Sequence, residues 1–155
     1  MAGLTFGGKP AASVATRSPQ LGLPGVGENQ RAERRAKTDD RLDRYIQAAR
    51  WRGEQVNYLR ERVRRLEPVK ARLNDWLDHH NYDHPLWPKR IDRYWTCAHT
   101  IAAHEREMRG FIDKVVDLTA KKPPAQQERI NGAYFDALNS QPPAHRPARV
   151  GMMTE

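Results

Sequence analysis

Between Asn29 and Leu66 the chain holds no proline and a single glycine, Gly53, and its apolar side chains return every seven residues. Leu42, Ala49, Val56 and Val63 occupy one position of that repeat; Tyr45, Leu59 and Leu66 follow three residues later, with Arg52 as the one charged interruption. The helical period brings both sets onto one side of a rod, so the spacing predicts a long helix with a coiled-coil-like apolar seam. Helix formers (Arg, Ala, Glu, Gln) fill most other positions. Ala49 in the seam and Gly53 beside it are small enough to let a second backbone approach at mid-helix.

Pro68 has no amide proton and clashes with the preceding turn, so it is expected to end this helix near residue 66 and to open a short second one over 68–80. There Val69, Leu73, Trp76 and Leu77 share a face. Asn81 to Pro88, with two prolines, reads as the loop that reverses the chain. A third helix is expected over 88–121, opened by Pro88 and closed by Lys121 and Lys122 ahead of Pro123 and Pro124. Its stripe runs through Ile91, Tyr94, Trp95, Ala98, Ile101, Ala102, Met108, Ile112, Val115 and Val116, interrupted by Glu105. A fourth helix, 125–138, places Ile130, Ala133, Tyr134, Ala137 and Leu138 together, with Asn139 as its stop. No strand pattern competes. The expectation is an all-α domain over 28–139, an antiparallel helical hairpin of two long helices with two short flanking helices. Extended, irregular arms at 1–27 and 140–155, both rich in proline and the first also in glycine, complete the chain. Rods so slender leave part of their apolar seams uncovered, and a partner surface is expected to complete the core.

A length of 155 residues suits one domain. No apolar run approaches the roughly 20 residues that span a bilayer. The single cysteine, Cys97, cannot close an internal disulfide, which points to a reducing, intracellular compartment. Residues 1–27 carry no acid and only Lys9 and Arg17 as charges. That start resembles an organellar targeting peptide, with the mitochondrion as one destination, but it lacks the arginine content and the helical period of such peptides.

Chemistry-bearing clusters are few. Asp75, Asp78, His79, His80, Asp83 and His84 gather nitrogen and oxygen ligands, and His79, His80 and His84 are the candidate zinc set. The helix is expected to fail near Asn81 and Pro85, however, and a solvated loop is the plainer reading. Cys97, His99 and His104 lie on the third helix without sharing a face, so no thiol–histidine pair is expected. The glycines of the first arm match neither a phosphate-binding loop nor a dinucleotide fingerprint. These absences argue against an enzyme, a cofactor or a small-molecule substrate.

Interaction features are richer. Arg31, Arg34, Arg35 and Lys37 cluster near the start of the first helix and Arg60, Arg62, Arg64 and Arg65 near its end, within a chain of net charge +8. Arginine pairs with carboxylates and stacks on rings as readily as it meets phosphate, and acidic residues are interspersed throughout. Trp51 and Tyr58 lie off the first seam on one line and, with Trp87 and Trp95, are candidate interface anchors. The reading is a non-catalytic structural or accessory subunit that docks on other protein subunits of a large assembly through amphipathic helices and extended arms. The alternatives are an RNA-contacting, ribosomal-type peripheral protein using the Arg31–Lys37 group, and a zinc-binding protein using the His/Asp loop.

Overall fold

The computed structural model describes residues 26–149, and all regular structure among them is helical. Three helices follow one another: α1 (Val26–Asp78), α2 (Trp87–Thr119) and α3 (Pro124–Leu138). The chain divides into two compact units between Asp40 and Arg41, and α1 runs through that boundary. Within the first unit the described residues are helical, and every side chain from 27 to 40 is exposed.

The two helices expected at 29–66 and 68–80 are a single helix, with Pro68 inside it. A proline within a helix costs about 3 kcal/mol through the lost hydrogen bond and the ring clash. Here Pro68 and Arg64, whose carbonyl it leaves without a helical donor, are both on the exposed side, where water can take the place of the amide. The apolar seam also continues across the proline, from buried Leu59 to buried Leu73 and Leu77. Burial of each such leucine contributes roughly 1.5–3 kcal/mol, enough in sum to hold both sides of the proline in one rod.

Residues 79–86 turn the chain back, with His84 N donating to Asn81 O and Trp87 N to His84 O. From there α2 runs antiparallel to α1, as its ring contacts show. Arg90 lies 4.8 Å over the Trp76 ring, Lys70 6.0 Å over Tyr94, and Phe111 meets Trp51 edge-on at 5.5 Å, so later residues of α2 meet earlier ones of α1. The turn into α3 is tight. Lys121 takes φ 61°, in the left-handed region, and the neighbouring Lys122 ammonium sits 4.1 Å over the Tyr45 ring. Pro123 and Pro124 then supply the start of α3 with residues that need no amide donor.

The seam of α1 meets its own chain. Leu42, Ala49 and Val56 pack with Val115 of α2 and with Ile130 and Tyr134 of α3, and Tyr45, Ile46, Met108, Phe111, Leu118 and Leu138 flank them. Arg52, the charged interruption, is buried, its Nη1 3.4 Å from Ala48 O. The stripe of α2 is wider than the surface that covers it. Cys97, Ile101 and Val115 are buried, while Trp95, Ile112 and Val116 are exposed.

Candidate docking site on α1

The small-residue notch expected at Ala49 and Gly53 is where α3 lies closest to α1. A Cβ on Gly53 would stand 2.5 Å from Tyr134 O and 2.9 Å from Ala137 Cβ, so only a hydrogen admits the α3 backbone here. One turn further on, Asn57 Nδ2 donates to Ala137 O at 3.1 Å and to Ser140 O at 2.9 Å. The next turn brings Arg60 Nη2 to Leu138 O at 2.8 Å. Ala137 O and Leu138 O are carbonyls that the end of a helix leaves without intrahelical donors, so α1 caps α3 from outside.

The same side of α1 holds residues 140–149. They have no regular structure, as their prolines predict, and they lie against α1 of their own chain. Gln55 Nε2 donates to Pro147 O at 2.6 Å and Trp51 Nε1 to Ala148 O at 3.0 Å. Gln55 Oε1 accepts from Arg146 Nε at 3.1 Å, and the Arg146 guanidinium also pairs with the Glu107 carboxylate of α2. The physical reason is complementary. A proline-rich stretch offers carbonyls and few amide protons, and α1 presents three side chains that donate. Gln55 and Asn57 are each 1% exposed and, with Arg52, are the buried polar and charged side chains among the described residues. Nothing in the residue types announces this strap, since a carbonyl belongs to every residue; polar Gln55 and Asn57 on either side of seam residue Val56 are the nearest signal.

Of the expected anchors, Trp51 is half-buried between Phe111 and the strap, and Tyr58 is half-buried under Arg62, whose Cζ lies 5.8 Å from its ring. Trp87 is half-buried, 6.4 Å from Trp76, whereas Trp95 stands out on α2 with His99 stacked 5.8 Å away. The arginine cluster is engaged within the chain. Arg60 caps α3, Arg62 lies on Tyr58, and Arg64 and Arg65 both bond Glu61. The hydrogen bond from Arg64 holds the Glu61 carboxyl below its usual value. Arg31, Arg34, Arg35 and Lys37 are exposed in the first unit.

The histidine loop is organised by stacking. His80 lies 4.0 Å from the Trp76 ring in parallel and His84 meets it edge-on at 5.1 Å. His79 Nδ1 and His80 Nδ1 are each 2.7 Å from the backbone carbonyl four residues back, and His84 Nδ1 accepts from Leu86 N at 3.0 Å. The Asp75 carbonyl and then its carboxylate raise the His79 pKa. Among the described residues no group of three or more His, Cys, Asp or Glu side chains has the arrangement to hold a metal ion. Nor, among them, is any helix long and apolar enough to cross a membrane. Comparison with protein families, with curated proteins and with solved structures finds no match to this chain.

Proposed function

We propose that this chain is a non-catalytic structural or accessory subunit that docks on other protein subunits of a larger assembly. The observation that carries the reading is the uncovered flank of α2. Trp95 is 52% exposed, Ile112 40% and Val116 60%, and Phe135 on α3 is 53% exposed, although α1 already provides both helices with a packed core. Ile112 and Val116 stand one turn apart and present adjoining apolar surface to solvent. A partner that covered them would gain about 25 cal/mol for each Å² of apolar area removed from water. A second reading, contact with RNA, draws on the exposed Arg31, Arg34, Arg35 and Lys37.

Sedimentation of the tagged full chain in native extract separates the two. The subunit reading expects migration with a large particle that survives ribonuclease and raised salt, and return to light fractions on Ile112→Lys/Val116→Lys. Migration lost to ribonuclease and salt, and to charge reversal at Arg31, Arg34 and Arg35, supports RNA instead. A wild-type chain found only as a free monomer refutes both.

A further inference from the structure

We propose that the cavity bounded by α1, the end of α3 and the strap takes the primary ammonium group of a linear alkylamine, its charge met by the Glu54 carboxylate and one of its N–H groups by Asn57 Oδ1. The inference goes beyond the subunit reading and does not rest on it.

The cavity has a volume of about 340 Å³, at the small end of ligand sites, and its lining includes Glu54 and Asn57 of α1, Ala137 of α3 and Pro143, His145 and Pro147 of the strap. Its charge runs against that of the molecule. The chain carries a net +8, yet none of the described residues that line the cavity is a lysine or an arginine. Glu54 is half-buried, and its carboxylate has no hydrogen bond or ion pair among the described residues. The arginines close to it along the chain are directed elsewhere. Arg50, one turn earlier, is exposed and does not pair with it; Arg60 lies on Leu138 O, and Arg146 on Gln55 and Glu107. A carboxylate that is partly withdrawn from water and left unpaired holds a cation more firmly than a fully solvated one does.

Asn57 adds an acceptor of fixed direction. Its Nδ2 donates to Ala137 O and Ser140 O, which decides the orientation of the amide, because turning it over would set Oδ1 against both carbonyls. Oδ1 is buried and receives no hydrogen bond from the described residues. A buried acceptor without a donor is destabilising, and an N–H arriving in the cavity relieves it. That oxygen is shut from water, so the proline wall gives slightly as the donor reaches it.

A carboxylate beside a neutral acceptor suits a cation that also donates hydrogen bonds. Calcium or magnesium fits less well, since each takes about six or more oxygens and the cavity offers a single carboxylate. Ala137, Pro143 and Pro147 supply apolar wall for the methylenes behind the ammonium. A free polyamine and the lysine side chain of a protein both carry this group, and the experiment tells them apart.

The test titrates the 15N-labelled full chain with diaminopentane at constant ionic strength and about pH 8, where an ordinary histidine is neutral. It reads the Asn57 side-chain amide, assigned by loss in Asn57→Ser, and the Glu54 backbone amide. Saturable shifts of both are expected, with a dissociation constant below about 10 mM. Affinity is expected to fall about tenfold or more in Glu54→Gln and to hold in Glu105→Gln, which removes the same charge from an exposed position of α2. Pentanol, without the charge, and tetramethylammonium, without the N–H, are expected to leave both signals in place. No response to diaminopentane, undiminished affinity in Glu54→Gln, or an equal response to either control ligand overturns the proposal. Should Glu54→Gln lose helical circular dichroism, the contrast between diaminopentane and the two control ligands on the wild-type chain decides. Nα-acetyl-lysine amide separates the sources: binding tighter than the diamine points to a protein's lysine and weaker binding to a free polyamine, and either supports the ammonium site.

Discussion

Replacing Gly53 by alanine puts opposing terms against each other at one position. In an exposed helix the change would stabilise by about 1 kcal/mol, since glycine is the poorer helix former. At this position the new Cβ would meet Tyr134 O at 2.5 Å and Ala137 Cβ at 2.9 Å. The first of these is backbone, which cannot rotate aside as a side-chain tip would. To make room, α3 must move off α1, and that strains the bonds from Asn57 to Ala137 O and Ser140 O and from Arg60 to Leu138 O. Overpacking of this kind costs about 1–3 kcal/mol, and each weakened hydrogen bond adds up to about 1 kcal/mol. The net expectation is a loss of about 2 kcal/mol, or a melting temperature lower by about 4–8 °C for a chain of this length. Helical circular dichroism during thermal and urea unfolding gives the value. Gly110→Ala and Gly132→Ala, which meet nothing within 4 Å of the added carbon, are the controls and should raise stability by up to about 1 kcal/mol each. A Gly53→Ala protein as stable as those controls would refute the close approach of α3.

Ile101→Asp, at a position of α2 that is 4% exposed, should cost more than about 3 kcal/mol, measured as loss of cooperative unfolding, because an unpaired carboxylate would be buried. Lys121→Gly should raise the melting temperature, by relieving a left-handed conformation that costs a non-glycine residue about 1 kcal/mol. Asn57→Ala should lower stability by about 1–3 kcal/mol in urea unfolding, since it strips the donor from Ser140 O and one of two from Ala137 O.

What could be read in advance follows the physics of each feature. The seam of α1, the stripe of α2 and the notch at Gly53 are legible because burial imposes a period or a size on the side chain itself. The continuity of α1 through Pro68 was not, because proline's cost is local while its compensation, the buried Leu59 on one side and Leu73 and Leu77 on the other, is spread over several turns. The slenderness of the two long rods pointed to incomplete cover, and Ile112 and Val116 are exposed, but periodicity alone does not say which flank is left open. Trp51 attracted notice as a free aromatic, and its partner turned out to be the carbonyl of Ala148, ninety-seven residues away. Contacts between a side-chain donor and a distant main-chain oxygen leave no mark on the receiving residue, so the strap was invisible until the fold brought it to α1.

That asymmetry bears on how the two surfaces can drift over generations. The strap is recognised largely through atoms that any amino acid supplies, so exposed positions such as Ala144 and Ala148 can exchange side chains without altering what α1 reads. The reading side enjoys no such freedom. Trp51, Gln55 and Asn57 each offer a nitrogen donor at one particular reach, and a change at any of them removes a contact that no substitution in the strap can restore. Among descendants of this sequence the tail should therefore vary in letter and keep its extended, proline-bearing character, while the three donors on the helix change seldom.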